Sequence, residues 1–187
     1  PTQAILHCIT ENLQMVKHLV GQGILVPDYL TFENAASKGH LETVKYLISL
    51  APTILPWRQV LMCAIRGGRV NVAQYLISIG VQGTSDAFHL ACLCGNLEII
   101  RCIVESKADI SCNEDIIPAT IESGNLEVIK YLVSVGFDPT IANDRAIQQA
   151  CRLGHLEIVK YLVSVGANIT ACNSEAYRRA SQYGHLE

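Results

Sequence analysis

Residues 154 to 170 read GHLEIVKYLVSVGANIT, and residues 124 to 140 read GNLEVIKYLVSVGFDPT. Aligning on the Gly of that phrase sets Gly39, Gly68, Gly95, Gly124, Gly154 and Gly184 in register, 27 to 30 residues apart. An earlier copy, ENLQMVKHLVGQG, carries Glu11 in the Gly slot, and the last copy breaks off as GHLE at residue 187. A period of this length marks a stack of small units, so it decides the architecture before any single residue does.

After the Gly, apolar residues fall two, five, eight and nine places on: Leu156, Val159, Leu162 and Val163 in one copy, Leu41, Val44, Leu47 and Ile48 in another. That spacing predicts an amphipathic helix with those four slots on its inner side. Glu157, Lys160 and Ser164 fall on its outer side, and a further Gly (Gly80, Gly136, Gly166) ends most copies. Before the anchor Gly the pattern predicts a second, shorter helix. Its large apolar slot holds Phe32, Leu61, Phe88, Ile117, Ile147 and Tyr177, and its small slot Ala35, Ala64, Ala91, Thr120, Ala150 and Ala180. Asp28, Thr84, Asn113, Asn143 and Asn173 stand where an N-cap belongs, with Trp57 breaking the series. The anchor Gly suits the left-handed residue that turns one helix into the next. Pro118 cannot sit inside a helix cheaply, which delays the start of its helix to about Asp115. One helix pair cannot bury its apolar side alone, whereas stacked pairs share a core. The fold class expected is all-α, a solenoid of helix-turn-helix units at about 1–27, 28–56, 57–83, 84–112, 113–142 and 143–172, with a partial unit at 173–187.

Composition agrees with a packed chain. Half of the 187 residues are hydrophobic and 17% are charged, with 14 basic against 17 acidic residues and no long run of either sign. A phosphate-tracking surface needs a concentrated basic stripe, so nucleic acid is not expected as a partner. No apolar run reaches the ~18–20 residues of a membrane span, and PTQAILHCIT is not a signal peptide. An intracellular, cytoplasmic monomer without membrane contact is the expectation. Of the eight cysteines, Cys92, Cys102, Cys112, Cys151 and Cys172 occupy slots filled elsewhere by Ala, Ile, Ser or Tyr, and they read as small buried hydrophobes rather than a disulfide frame.

Units spelling A-x-x-x-G-H-L-E-x-V-K-Y-L-x-S-x-G-A resemble ankyrin repeats, and the resemblance covers essentially the whole chain. DAFHLACLCGN, residues 86 to 96, is similar to the family's T-P-L-H-x-A-A-x-x-G-H, with His89 in the His slot. Other copies carry Glu33, Met62, Pro118, Gln148 and Arg178 there, and the Thr-Pro helix start is missing. The period falls short of the family's roughly 33 residues, which implies a shortened or lost β-hairpin between units. The Tyr-rich GHLEVVKYLVS-G dialect is similar to the large ankyrin families of giant DNA viruses of amoebae, and also to slime-mould ankyrin proteins.

What the resemblance implies is a binding module for protein partners, contacted along a concave side made by the first helices and loop tips. Carried onto this chain, the contact slots are Tyr29, Ser37, Lys38, Arg58, Arg66, Ser85, Leu93, Cys94, Glu114, Glu122, Ser123, Asp144, Arg152, Leu153, Ser174, Gln182 and Tyr183. Their mixture of charge, amide, aromatic and aliphatic groups suits a specific protein interface. A viral adaptor for host proteins is the sharper form of this reading, and an architectural spacer between flanking domains is the alternative. A third alternative is a metal site on His89, Cys92 and Cys94, but H-x-x-C-x-C lacks paired C-x-x-C spacing and a fourth ligand. His40, His155 and His185 share their slot with Asn96, Asn125 and Arg69, so a polar turn role suffices for them. No phosphate loop, H-E-x-x-H or G-x-S-x-G motif occurs, so neither enzyme activity nor a cofactor is expected.

Overall fold

The computed structural model describes residues 12–25, 28–50, 57–81, 85–106, 110, 116–140 and 144–168. Among them every regular element is a helix: α1 Leu13–Gly21, α2 Tyr29–Lys38, α3 Leu41–Leu50, α4 Trp57–Arg66, α5 Val70–Ser78, α6 Ser85–Leu93, α7 Leu97–Glu105, α8 Ile116–Ile121, α9 Leu126–Ser134, α10 Arg145–Leu153 and α11 Leu156–Ser164. Contacts divide the chain into two compact units, Pro1–Ala91 with Glu98–Ile110, and Cys92–Leu97 with Ser111–Glu187.

In the first unit, α2 packs on α4 to form one layer, while α1, α3 and α5 pack in sequence to form the other. In the second, α8 packs on α10, with α9 behind α8 and α11 behind α10. Small side chains let the first helices approach closely: Ala35, Ala64, Ala91, Thr120 and Ala150 are all fully buried. Beside them Phe32, Leu61, Phe88, Ile117 and Ile147 are at most 3% exposed. Each such side chain contributes about 1.5–3 kcal/mol through removal from water. Thr120 keeps its hydroxyl satisfied by donating to the Ile116 carbonyl at 2.7 Å.

The second helices correct one expectation. Their buried slots lie four, five and eight places after the anchor Gly, as in Thr43, Val44 and Leu47, or Val128, Ile129 and Leu132. The two-place and nine-place slots are flanks, partly covered in most copies, and in α11 Leu156 and Val163 stand 58% and 43% exposed. Adjacent and one-turn-apart positions meet the neighbouring layer head on. The flank positions depend on whichever helix stands beside them.

Local signals set the ends. Asp28 accepts the Thr31 amide at 2.9 Å, and Asn125 accepts that of Glu127 at 3.1 Å. Thr84, Asn113, Asn143 and Asn173, and most of the loops between units, lie outside the described residues, and the cap position of α10 falls on Asp144, not on Asn143 as expected. Trp57 is the first residue of α4 and packs edge-on against Phe32, with centroids 5.4 Å apart. Among the described residues the anchor glycines take the left-handed conformation, φ being 65° at Gly95 and 68° at Gly124, whereas Gly184 lies outside them. α8 begins at Ile116, which puts Pro118 in its first turn, where the missing N–H has no partner to lose.

Adjacent copies are also fastened at their edges. Arg69 Nε donates to the Ser37 carbonyl at 3.0 Å, and Asn125 Nδ2 to the Gly95 carbonyl at 3.0 Å, so the polar slot after the anchor Gly reaches back to the preceding turn. The His155 ring packs against Gly124, and its buried Nε2 has no hydrogen-bond partner among the described residues. On the outer side, Lys17 sits over the Tyr46 ring at 5.5 Å and Lys45 over the Tyr75 ring at 5.6 Å. At the next step Gln74 replaces the lysine and Cys102 the tyrosine, and the amide donates to the sulfur at 3.3 Å.

Candidate partner-binding site

The expected contact residues sit mostly on the exposed faces and C-terminal ends of the first helices. In the first unit, Lys38, Arg58 and Arg66 are exposed, and Ser37 and Ser85 are half-buried. Tyr29, 37% exposed, directs its hydroxyl to Cys63 Sγ at 3.8 Å. Desolvation there, with the bond to Cys63, pushes the phenol up to about 12. Arg58 is ion-paired to Asp86 on the neighbouring first helix. Both side chains are more than half exposed, so the pair orients the surface more than it stabilises it.

In the second unit, Glu122 is exposed, and Ser123, Arg152 and Leu153 are half-buried. A polar chain crosses from α8 to α10: Arg152 Nε donates to Gln149 Oε1 at 3.2 Å, and Gln149 Nε2 donates to Glu122 Oε1 at 3.3 Å. Ser123 donates to the Thr120 carbonyl at 2.7 Å and closes against Gly95, so part of it serves stacking. Leu93 is half-buried and Cys94 exposed at the Cys92–Leu97 turn of this unit.

Asp144 departs from the expected surface role. It is 8% exposed and in the left-handed region at φ 57°, and its carboxylate accepts the Asn168 amide at 3.1 Å. The side chain ties the start of α10 to the chain after α11, a cross-link the spacing could not signal. Glu114, Ser174, Gln182 and Tyr183 lie outside the described residues. Sequence reasoning missed Asp86, Gln149 and Arg145. The available signal was complementarity one period apart, as in Arg58 with Asp86 and Glu122 with Gln149.

The cysteines divide. Cys63 and Cys92 are buried, Cys102 and Cys151 half-buried, and Cys94 exposed, all as free thiols. Burial pushes the Cys92 thiol up to about 12, with hydrogen bonding to the Thr120 side chain working the other way. Cys92 and Cys94 therefore face different surroundings, and among the described residues no group of three His, Cys, Asp or Glu side chains could hold a metal ion. No helix among the described residues is long and apolar enough to cross a membrane.

A family profile described as ankyrin repeats (3 copies) matches residues 32–114 and 116–187. An ankyrin repeat protein of Acanthamoeba polyphaga mimivirus is 36% identical over 77 residues, which are 40% of this chain and 13% of that protein. The chain thus aligns with a small part of that viral relative. Among solved structures, the human ASB11 ankyrin repeat domain superposes with a TM-score of 0.63 at 21% identity, covering 82% of this chain and 83% of that one. The ankyrin repeat domain of Bcl-3, a member of the IkappaB protein family, gives 0.63 at 21% identity, covering 83% of this chain and 81% of that one.

Proposed function

We propose, from the premise that the chain belongs to the ankyrin-repeat family, that it binds protein partners through the exposed faces of its first helices and carries out no chemistry of its own. Ankyrin repeats are a generic protein-interaction module, which is the coarse part of this reading. The observation that supports the finer part is where variation falls between copies. Slots facing the neighbouring layer stay small, as in Ala35, Ala64, Thr120 and Ala150, while the slot before the anchor Gly changes from exposed Lys38 to exposed Cys94 to half-buried Leu153. A stack needs the first group alike and leaves the second free to match a partner. The likeness to a mimivirus protein supports an adaptor of a giant virus, working on host proteins in the host cytoplasm.

Affinity capture from amoebal lysate tests this reading. The chain should retain a protein that Lys38→Glu with Arg66→Glu releases and that Lys160→Glu, on an outer helix face, leaves bound. Equal capture by all three proteins would place binding elsewhere.

A further inference from the structure

We infer that the adjoining turns after α2 and α4, both in the first unit, form a cationic corner that receives a short acidic segment of a partner protein. The inference deepens the partner-binding reading and rests on it. Gly67 makes the corner possible. A Cβ there would collide with the Ser37 carbonyl oxygen, so a glycine is what lets the turn after α4 press its backbone onto the turn after α2. Arg69 fastens the same point, its Nε donating to the Ser37 carbonyl at 3.0 Å. Lys38 follows Ser37 and Arg66 precedes Gly67, so each stands one residue, about 3.8 Å of backbone, from that contact. Three cationic residues from two copies therefore meet at one backbone contact.

All three are exposed. The side chains of Lys38 and Arg66 make no hydrogen bond or ion pair with any described residue, and Arg69 uses only its Nε, which leaves its two terminal nitrogens open. A helix C-terminus favours a cation, which accounts for Lys38 and Arg66 taken singly. Arg69 is different. It is the N-cap of α5, where the helix dipole disfavours a positive charge. In the same slot Asn125 makes the same reach to the preceding turn without any charge, so stacking does not require one. Acids on the adjoining helices are engaged elsewhere: Glu42 is ion-paired to Lys45, and Glu33 lies beside the Tyr29 hydroxyl and the Cys63 thiol. The next copy carries Leu93, Cys94 and Asn96 in the equivalent slots, so the basic stretch is two copies long. A nucleic-acid strand is held by phosphate contacts repeated along a stripe. Two copies of cations on a chain of net charge −3 suit a shorter anion. Guanidinium forks match carboxylates with two parallel hydrogen bonds. The fitting ligand is a peptide with a short run of Asp or Glu.

The test uses the full chain and a rhodamine-labelled peptide, Gly-Ser-Glu-Asp-Glu-Ser-Gly, followed by fluorescence polarisation at low ionic strength. Binding should saturate, and should weaken as salt is raised. Lys38→Gln, Arg66→Gln and Arg69→Asn should each weaken it about fivefold to tenfold, the equivalent of one net hydrogen bond. Arg69→Asn installs the side chain that serves stacking at Asn125, so its loss reads charge and not the fit of the turns. Lys160→Gln, on an outer helix face, should change nothing. The peptide with Gln and Asn in place of its acids should bind at least about tenfold more weakly. The substituted side chains are exposed, and matching melting curves would show that the variants fold. Absent saturation, indifference to all three corner variants, equal binding of the neutral peptide, or tighter binding of a short oligothymidylate than of the acidic peptide would overturn the inference. Partner capture sensitive to Lys38→Glu with Arg66→Glu but no peptide binding would end the acidic-segment inference and leave the partner reading standing. Peptide binding without any captured partner would uphold the corner and count against the partner reading.

Discussion

Cys92 and Cys94 stand two residues apart and meet opposite environments, one buried and one exposed. At pH 8 Cys92 should remain a protonated thiol, because burial pushes it up to about 12. Mass spectrometry after brief alkylation should find Cys94 labelled and Cys92 spared in the folded protein, and both labelled in urea. Rapid labelling of Cys92 in the native state would contradict its burial. Leu132, fully buried between the layers, carries a different kind of sensitivity. Leu132→Ala leaves a cavity and should lower unfolding free energy by about 2–5 kcal/mol in denaturant titrations. A loss below about 1 kcal/mol would mean that the layers close over the gap.

At the scale of the elements, the turns between helices differ in how tightly they are held. Gly95 is left-handed, and a Cβ there would come 2.8 Å from Ser123 Cβ, whereas a Cβ on Gly136, φ 101°, would meet nothing within 4 Å. Gly95→Ala adds a clash to the backbone strain that both substitutions share. It should cost about 2–3 kcal/mol against about 1 for Gly136→Ala, measured by thermal melting. Most of this scale was legible in the sequence. The anchor glycines, the first-helix slots, the Asp28 cap and the late start forced by Pro118 all follow from spacing and backbone chemistry. The inner side of the second helices was only half legible. Periodicity fixes which positions share a stripe, but which flank a neighbour covers decides burial, so Thr43 is inside and Leu156 outside. The candidate site was less legible still. Asp144 tied to Asn168, and Gln149 joining Arg152 to Glu122, are contacts between distant residues with no local signature.

For the molecule as a whole, the raised thiol and phenol groups set an alkaline limit. Cys92 moves from an ordinary 9.0 and Tyr29 from 10.0, each to about 12 in the folded chain. Both are acids held neutral by folding. Their contribution is therefore complete below the unfolded pKa values and drains away as pH climbs toward 12, since the unfolded chain ionises first. The melting temperature should fall between about pH 9 and 11, and Cys92→Ala should flatten the first part of that fall. An unchanged slope in the variant would assign the loss to other groups.

The lysine–tyrosine contacts on the outer side bear on how such a chain can change over generations. Gln74 with Cys102 replaces the pairing that Lys45 makes with Tyr75, so the two substitutions compensate across neighbouring copies. Gln74→Lys together with Cys102→Tyr should be more stable than the two single changes sum to, by about 0.5–1 kcal/mol in a double-mutant cycle. Loss of the copy at about 57–83 would leave Lys45 facing Cys102, a cation without its ring. The order of the copies is thus heritable information in its own right, and deletions would be tolerated only where the two edges newly brought together happen to agree.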